Sequence, residues 1–137
     1  MFTASTKSAG GLRLEVRVNG RHTILTDEPA SLGGTDEGPA PHELLPAALA
    51  SCIGTMVALY ARNRDWDVGE PRVDVVYDPE STPRAFDVHL RLPPGLSDDQ
   101  RRRLERVART CPLRRSLEAG FTFNERTTVE PAERVTA

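Results

Sequence analysis

The chain has 137 residues, of which 38% are apolar and 28% charged, and its formal net charge is −2. This length and composition are typical of one globular domain, here residues 1–137, that buries a core of its own. The nearly balanced charge argues against a nucleic-acid-binding protein, which usually shows a basic excess. The N-terminus lacks a basic segment followed by an apolar run, so no secretion signal is predicted and a cytoplasmic location is expected.

The N-terminal part of the sequence predicts antiparallel strands. Residues 2–8 are a candidate first strand. Residues 12–18, LRLEVRV, alternate apolar with charged side chains, which is the pattern of a half-buried strand. Asn19 and Gly20 follow as the strongest short signal for a two-residue hairpin turn, and residues 21–27, RHTILTD, return as the partner strand.

A glycine-rich loop and an apolar helix are predicted next. Residues 27–41 are rich in Gly, Pro and Asp, which is typical of a loop. Pro41 suits a first helical turn, whereas Pro46 removes a hydrogen bond from a helix that starts at Pro41. We therefore expect a short first turn, a kink, and a continuous helix from Pro46 to about Arg62. The apolar run over 46–61 is too short to span a bilayer comfortably, so no membrane association is expected.

The second half of the chain predicts another strand pair and a second helix. Residues 72–77 and 86–92 flank a turn-rich segment and form the pair. Ser97 and Gln100 have the spacing of a capping box, which opens the helix. Its apolar stripe, at i, i+3, i+4 and i+7, consists of Leu104, Val107, Ala108 and Cys111. Residues 121–130 are predicted as a last strand. This order of elements predicts an α+β fold with antiparallel sheets.

The two cysteines lie on the apolar faces of the two long helices. Since helices pack through their apolar faces, Cys52 and Cys111 are expected to face one another. Such a pair permits a peroxidase-type cycle, in which one thiolate becomes a sulfenic acid and the second thiol condenses with it. Burial disfavours a thiolate, so an arginine must reach the pocket. A helical C-terminus disfavours a thiolate at Cys111, which favours Cys52 as the nucleophile. Spacing alone favours the alternative, two inert core cysteines.

Two motifs carry a resemblance to a known family. Residues 33–52, GGTDEGPAPHELLPAALASC, are similar to the helix signature of the OsmC/Ohr superfamily. Residues 109–117, RTCPLRRSL, resemble its second cysteine signature, and residues 26–34, TDEPASLGG, resemble the loop of the broader OsmC-like branch. The resemblance extends in order from about Arg21 to Phe123.

The resemblance implies an OsmC-like fold, with antiparallel sheets packed around two central helices in an intertwined homodimer. It also implies a thiol-dependent peroxidase for organic or lipid hydroperoxides, in which Cys52 attacks and Cys111 resolves. The reductant would be a dihydrolipoyl-type dithiol, and no bound cofactor is implied. An organic peroxide would suit the apolar residues around Cys52, which include Leu49, Ile53, Met56 and Val57.

The sequence departs from the peroxidase pattern at the family's glutamate, which lies ten residues before the first cysteine and holds an arginine against it. That position is His42 here, and Glu43 lies one residue later. On a straight helix Glu43 would be about 180° and about 13 Å from Cys52. A catalytic role for Glu43 therefore needs the kink at Pro46 or a site built across the dimer. Otherwise Glu43 is a first-turn carboxylate favoured by the helix dipole.

The sequence also departs from the peroxidase pattern at the activating arginine and in the second motif. The loop over 27–41 contains no arginine, so the guanidinium would come from the hairpin, which carries Arg13, Arg17 and Arg21. Arg114 stands where the second motif often has histidine. These departures motivate an alternative function, an OsmC-like dimer that binds a small apolar ligand or partner and has little peroxidase activity. No CxxC or HxxxH spacing occurs, so no metal site is predicted.

Overall fold

The computed structural model describes residues 1–131, which begin with a three-stranded antiparallel sheet. Strands β1 (Ala4–Ser8), β2 (Leu14–Val18) and β3 (His22–Thr26) pair in that order. Asn19 and Gly20 both have positive φ, 51° and 67°. The β2–β3 hairpin is confirmed at Asn19-Gly20, but Val18 pairs with His22, so three residues, 19–21, connect the strands instead of the predicted two.

The apolar helix α1 spans Leu44–Arg62 and follows a 3₁₀ turn over Pro41–Glu43. Pro46 lies in the first turn of α1, where backbone N–H groups have no intrahelical partner, so it does not interrupt the helix. The helix therefore begins two residues before the predicted start at Pro46. By length and composition alone, the helical segment Pro41–Arg62 is apolar enough to cross a membrane. The sequence-based estimate, which counted only residues 46–61, was too short.

A two-stranded antiparallel sheet follows α1, and it is formed by β4 (Arg72–Tyr77) and β5 (Phe86–Arg91). The α+β class with antiparallel sheets is thereby confirmed. The last predicted strand was wrong for the described chain, because residues 121–130 have no strand assignment. Phe121 and Phe123 are 63% and 84% exposed there. A strand requires a hydrogen-bonding neighbour, and none of the described strands pairs with this segment.

Two further helices complete the described elements, α2 (Asp98–Arg109) and α3 (Pro112–Ala119). The predicted capping box opens α2. Ser97 Oγ accepts the N–H of Gln100 at 3.1 Å, and Gln100 Oε1 accepts the N–H of Ser97 at 3.0 Å. This reciprocal pair satisfies two backbone donors and fixes where α2 begins.

The core is built on one stripe of α1 that packs against β4, α2 and α3. Its buried members recur every fourth residue and are Leu49, Ile53, Val57 and Ala61. Leu104 and Cys111, both 0% exposed, close the core from the other side. The opposite face of α1 is open, with Ser51, Thr55 and Leu59 exposed. Within the single chain, α1 is therefore buried along one stripe only.

The first sheet stands apart from this core. Within residues 1–131, β1, β2 and β3 pack extensively only on one another, whereas the helices pack on β4 and on each other. Ile24 and Leu25 of β3 each remain 37% exposed. The chain thus consists of a helical core with its own sheet and a separate sheet that carries uncovered apolar side chains.

Candidate active site

The structure brings the two thiols together, as the packing argument predicted. Cys52 lies half-buried on α1 and Cys111 is fully buried after α2. Their Sγ atoms are 2.7 Å apart, and both cysteines are free thiols. Two sulfurs in direct contact can be converted into a disulfide with little movement of either helix.

The position of Cys111 follows from the proline after it. A residue before proline is disfavoured in the helical region, and Cys111 has φ −52° and ψ 129°. It therefore leaves α2 and becomes the N-terminal cap residue of α3, where Pro112 takes the first helical position. The thiol is held at the junction of two helices, directly over α1.

The environment of Cys52 opposes its ionisation. Burial raises the pKa of the Cys52 thiol, and the adjacent Cys111 acts in the same direction. The backbone N–H of Leu113, in the first turn of α3, lowers this pKa but does not outweigh burial. Among residues 1–131, no arginine contributes to the shift. Since the thiolate is the nucleophile, the isolated chain holds Cys52 in its less reactive form.

Glu43, the third predicted site residue, has a structural hydrogen bond. Its carboxylate accepts the backbone N–H of Ala40 at 2.8 Å and so caps the 3₁₀ turn that precedes α1. Glu43 is not among the groups that shift the pKa of Cys52. This is the first-turn arrangement that the sequence offered as the alternative, and the catalytic role of Glu43 stays a prediction.

Of the three hairpin arginines, Arg13 is held by a carboxylate. Its guanidinium pairs with Glu37 of the glycine-rich loop, and this interaction is the main cause of the lowered pKa of Glu37. Thr35 Oγ1 also lies 2.9 Å from this carboxylate. Arg17 and Arg21 are exposed. Arg13 does not approach Cys52 of its own chain closely enough to shift the pKa of that thiol.

A buried carboxylate, which the sequence reasoning missed, organises this loop. Asp27 is 1% exposed and accepts the N–H groups of Glu28, Thr35 and Glu37. The Thr35 hydroxyl, which donates to it at 2.7 Å, is the largest cause of a lowered Asp27 pKa of about 2. A Cβ added at Gly34 would overlap the carbonyl of Glu28. An acidic residue beside a glycine-rich loop was the signal that could have identified this network.

A cleft of about 390 Å³ lies beside the thiol pair, between α1, β5 and α3. It is lined by apolar side chains and by two arginines, Arg84 and Arg114, but by neither cysteine. Arg114, which stands where the family motif often has histidine, donates from Nε to Glu118 at 2.9 Å. The sequence reasoning placed Arg114 near Cys111 but did not anticipate the cleft, because it depends on how three separate elements meet.

The described residues contain no candidate metal centre. Nowhere in residues 1–131 do three His, Cys, Asp or Glu side chains come close enough together to hold a metal ion.

The motifs and the fold agree with a single family. The family model described as OsmC-like protein matches residues 34–126, a stretch that includes both cysteines. The chain belongs to the OsmC-like family. Comparison with curated proteins finds no match for this OsmC-like chain.

Solved structures of OsmC-like proteins resemble this one. A candidate osmotic stress induced and detoxification response protein from Psychrobacter arcticus is 26% identical, with a TM-score of 0.70 over 84% of this chain and 87% of that one. An OsmC-like hydroperoxide resistance protein from Jannaschia is 26% identical, with a TM-score of 0.54 over 93% and 92%. The organic hydroperoxide resistance protein OsmC of Legionella pneumophila, 21% identical with a TM-score of 0.56 over 82% and 87%, shares the fold.

Proposed function

We propose that this OsmC-like protein is a cytoplasmic thiol peroxidase that reduces organic hydroperoxides to alcohols. The observation that carries this proposal is the direct contact of Cys52 Sγ with Cys111 Sγ, at 2.7 Å. Membership in the family and the similarity to proteins named for hydroperoxide resistance support it. The apolar core around the thiols favours an organic peroxide over hydrogen peroxide.

The two sulfurs have different roles in the proposed reaction. The Cys52 thiolate attacks the terminal peroxide oxygen, the O–O bond breaks, and the departing alkoxide takes a proton to become the alcohol. Cys52 is then a sulfenic acid. Cys111 attacks this sulfur, an S–S bond forms, and the sulfenic oxygen leaves as water with the Cys111 proton. An external dithiol, of the dihydrolipoyl type, returns two electrons by thiol–disulfide exchange and becomes a disulfide itself.

The thiolate needs a cation that residues 1–131 of its own chain do not supply, and a homodimer would provide one. Three features of the chain carry uncovered apolar side chains: the outer face of α1 with Leu59, the separate first sheet, and the segment over 121–130. We infer that a second copy covers them. The first sheet of one subunit would then bring Arg13, already oriented by Glu37, to the thiol pair of the other. A guanidinium there would lower the pKa of Cys52 and offset its burial.

Cysteine and arginine variants of the intact protein test this mechanism. With a dihydrolipoyl dithiol as reductant, Cys52→Ser should abolish consumption of cumene hydroperoxide. Cys111→Ser should retain the first reduction, lose disulfide formation, and accumulate sulfinic acid at Cys52. Arg13→Gln should slow the first step, whereas the exposed Arg17→Gln is the matched control and should not. If Cys52→Ser consumes the peroxide as fast as the wild type, the proposal is wrong.

A second candidate function is favoured by the electrostatics of the single chain. Burial raises the pKa of Cys52, and no described arginine opposes it. An OsmC-like dimer that binds a small apolar ligand, with little redox activity, would have such a site. The pH dependence of Cys52 alkylation separates the two functions. A pKa well below the free value of about 8.5 supports the peroxidase. A higher pKa, without disulfide formation on adding peroxide, supports the binding protein.

A further inference from the structure

The thiol pair is also a two-sulfur binding site that needs no peroxide. Cys52 Sγ and Cys111 Sγ are 2.7 Å apart, and both cysteines are free. Cys111 is 0% exposed, whereas Cys52 is half-buried, so a ligand reaches the pair from the side of Cys52. The chain contains two cysteines, so each copy offers a ligand two sulfurs and no third.

The short separation of the sulfurs selects the geometry of the centre that they can share. A metal ion that binds two sulfurs in a line would hold them about 4.6 Å apart, for bonds of about 2.3 Å. A centre with a bent arrangement of its two sulfur bonds needs a smaller movement. Tetrahedral zinc is bent but takes four ligands. Among residues 1–131, no group of three His, Cys, Asp or Glu side chains could hold such an ion. The pair therefore fits a bent centre that is complete with two sulfurs.

The burial of the pair also limits the charge of the product. Metal ions bind cysteine as the thiolate, and a buried position disfavours charged groups. A ligand that removes the thiol protons as water leaves a neutral product in the same position. Trivalent arsenic with one organic substituent meets both requirements. It is a soft centre with affinity for sulfur, its two remaining bonds are bent, and its dithiol adduct is uncharged.

We propose that Cys52 and Cys111 together bind monosubstituted trivalent organoarsenicals, R–As=O. In this reaction both S–H bonds and the As=O bond break, and two As–S bonds form. The oxygen leaves as water with the two thiol protons. Arsenic stays trivalent and neither sulfur is oxidised, so the step needs no oxidant or reductant. The proposal is independent of the peroxidase function, because it requires only two adjacent reduced thiols.

Binding through both sulfurs is the source of the expected affinity. Once Cys52 has bonded to arsenic, the neighbouring Cys111 sulfur reacts at a high effective concentration. The second bond should therefore raise the affinity at least about a hundredfold. Arsenite can bond to three sulfurs but finds two here, so it should bind less tightly than the organoarsenical. The Cys52–Cys111 disulfide has no thiol to react and should not bind.

Phenylarsine oxide and the intact, reduced protein test this site without any peroxide. Native mass spectrometry should show one adduct per chain, with the mass of phenylarsine oxide less one water. Cys52→Ser and Cys111→Ser should each lose at least about a hundredfold in affinity, because each leaves a single sulfur. The disulfide form of the wild type is the matched control, since it has the same sequence and should form no adduct. An excess of a small dithiol should remove the arsenical from the reduced protein.

Three results would overturn the proposal. They are the absence of an adduct with the reduced wild type, undiminished affinity in a folded single-cysteine variant, and tighter binding of arsenite than of phenylarsine oxide. Adduct formation by a protein that reduces no hydroperoxide would support the arsenical site and refute the proposed peroxidase function. Peroxidase activity that an excess of phenylarsine oxide leaves unchanged would refute the arsenical site alone.

Discussion

Leu104 is buried in the same cluster as Cys111, and its truncation gives a quantitative test of the packing. Its side chain is 0% exposed on α2 and lies in the cluster that also contains Cys111 and the buried stripe of α1. Leu104→Ala removes about three methylene equivalents, worth about 0.8 kcal/mol each. The cavity left behind adds to this, and buried Leu→Ala changes span about 2.7–5.0 kcal/mol. We therefore expect a loss of about 3–4 kcal/mol.

Urea unfolding of the reduced protein, at one fixed protein concentration, measures this loss. The concentration is fixed because a dimer would make the transition depend on it. Arg102→Ala is the matched control on the exposed face of α2 and should change the free energy of unfolding by less than about 0.5 kcal/mol. Disulfide formation between Cys52 and Cys111 should also slow in Leu104→Ala. A loss below about 1 kcal/mol with normal disulfide formation would refute the claim that α1–α2 packing positions Cys111.

Two further predictions concern the glycine-rich loop. Because the pKa of Asp27 falls from an ordinary 3.8 to about 2 on folding, its ionised form stabilises the fold above pH 4, and this contribution is lost as the pH falls from about 4 to 2. Urea midpoints of Asp27→Asn should therefore fall less steeply than those of the wild type over that range, and equal slopes would contradict the prediction. Gly34→Ala should lower the free energy of unfolding by about 1–3 kcal/mol, since the new methyl overlaps the Glu28 carbonyl. Thermal unfolding measures this loss of stability. Gly54→Ala is the control, because its new methyl meets no described atom within 4 Å. Equal losses in the two variants would contradict the prediction.

Local patterns predicted those parts of the fold that depend on local physics. The hairpin at Asn19-Gly20 and the capping box at Ser97 are satisfied by backbone and side-chain geometry within a few residues. The meeting of Cys52 with Cys111 also followed from the sequence, since each lies on the apolar side of its helix. These predictions succeeded because alternation, helical periodicity and capping act independently of the rest of the chain.

The failures concern features that depend on distant or external partners. Residues 121–130 alternate like a strand but find no neighbour within the described chain. Asp27 reads as an ordinary loop residue until Thr35 and Glu37 fold back onto it. The cleft likewise depends on Arg84 and Arg114, which are 30 positions apart in the sequence. None of these three features has a signature in the local pattern of the chain.

The two sulfurs that touch at the centre of the molecule lie 59 positions apart along the chain. A bond between them would close a covalent loop of the chain that contains β4, β5 and α2. A ring of this size restricts the denatured chain by about 4 kcal/mol in the loop-entropy model. Oxidation that forms this disulfide would thus raise the thermal stability of the protein. Reduction of the disulfide would lower the stability again. The melting temperature would then indicate whether the two thiols are oxidised or reduced.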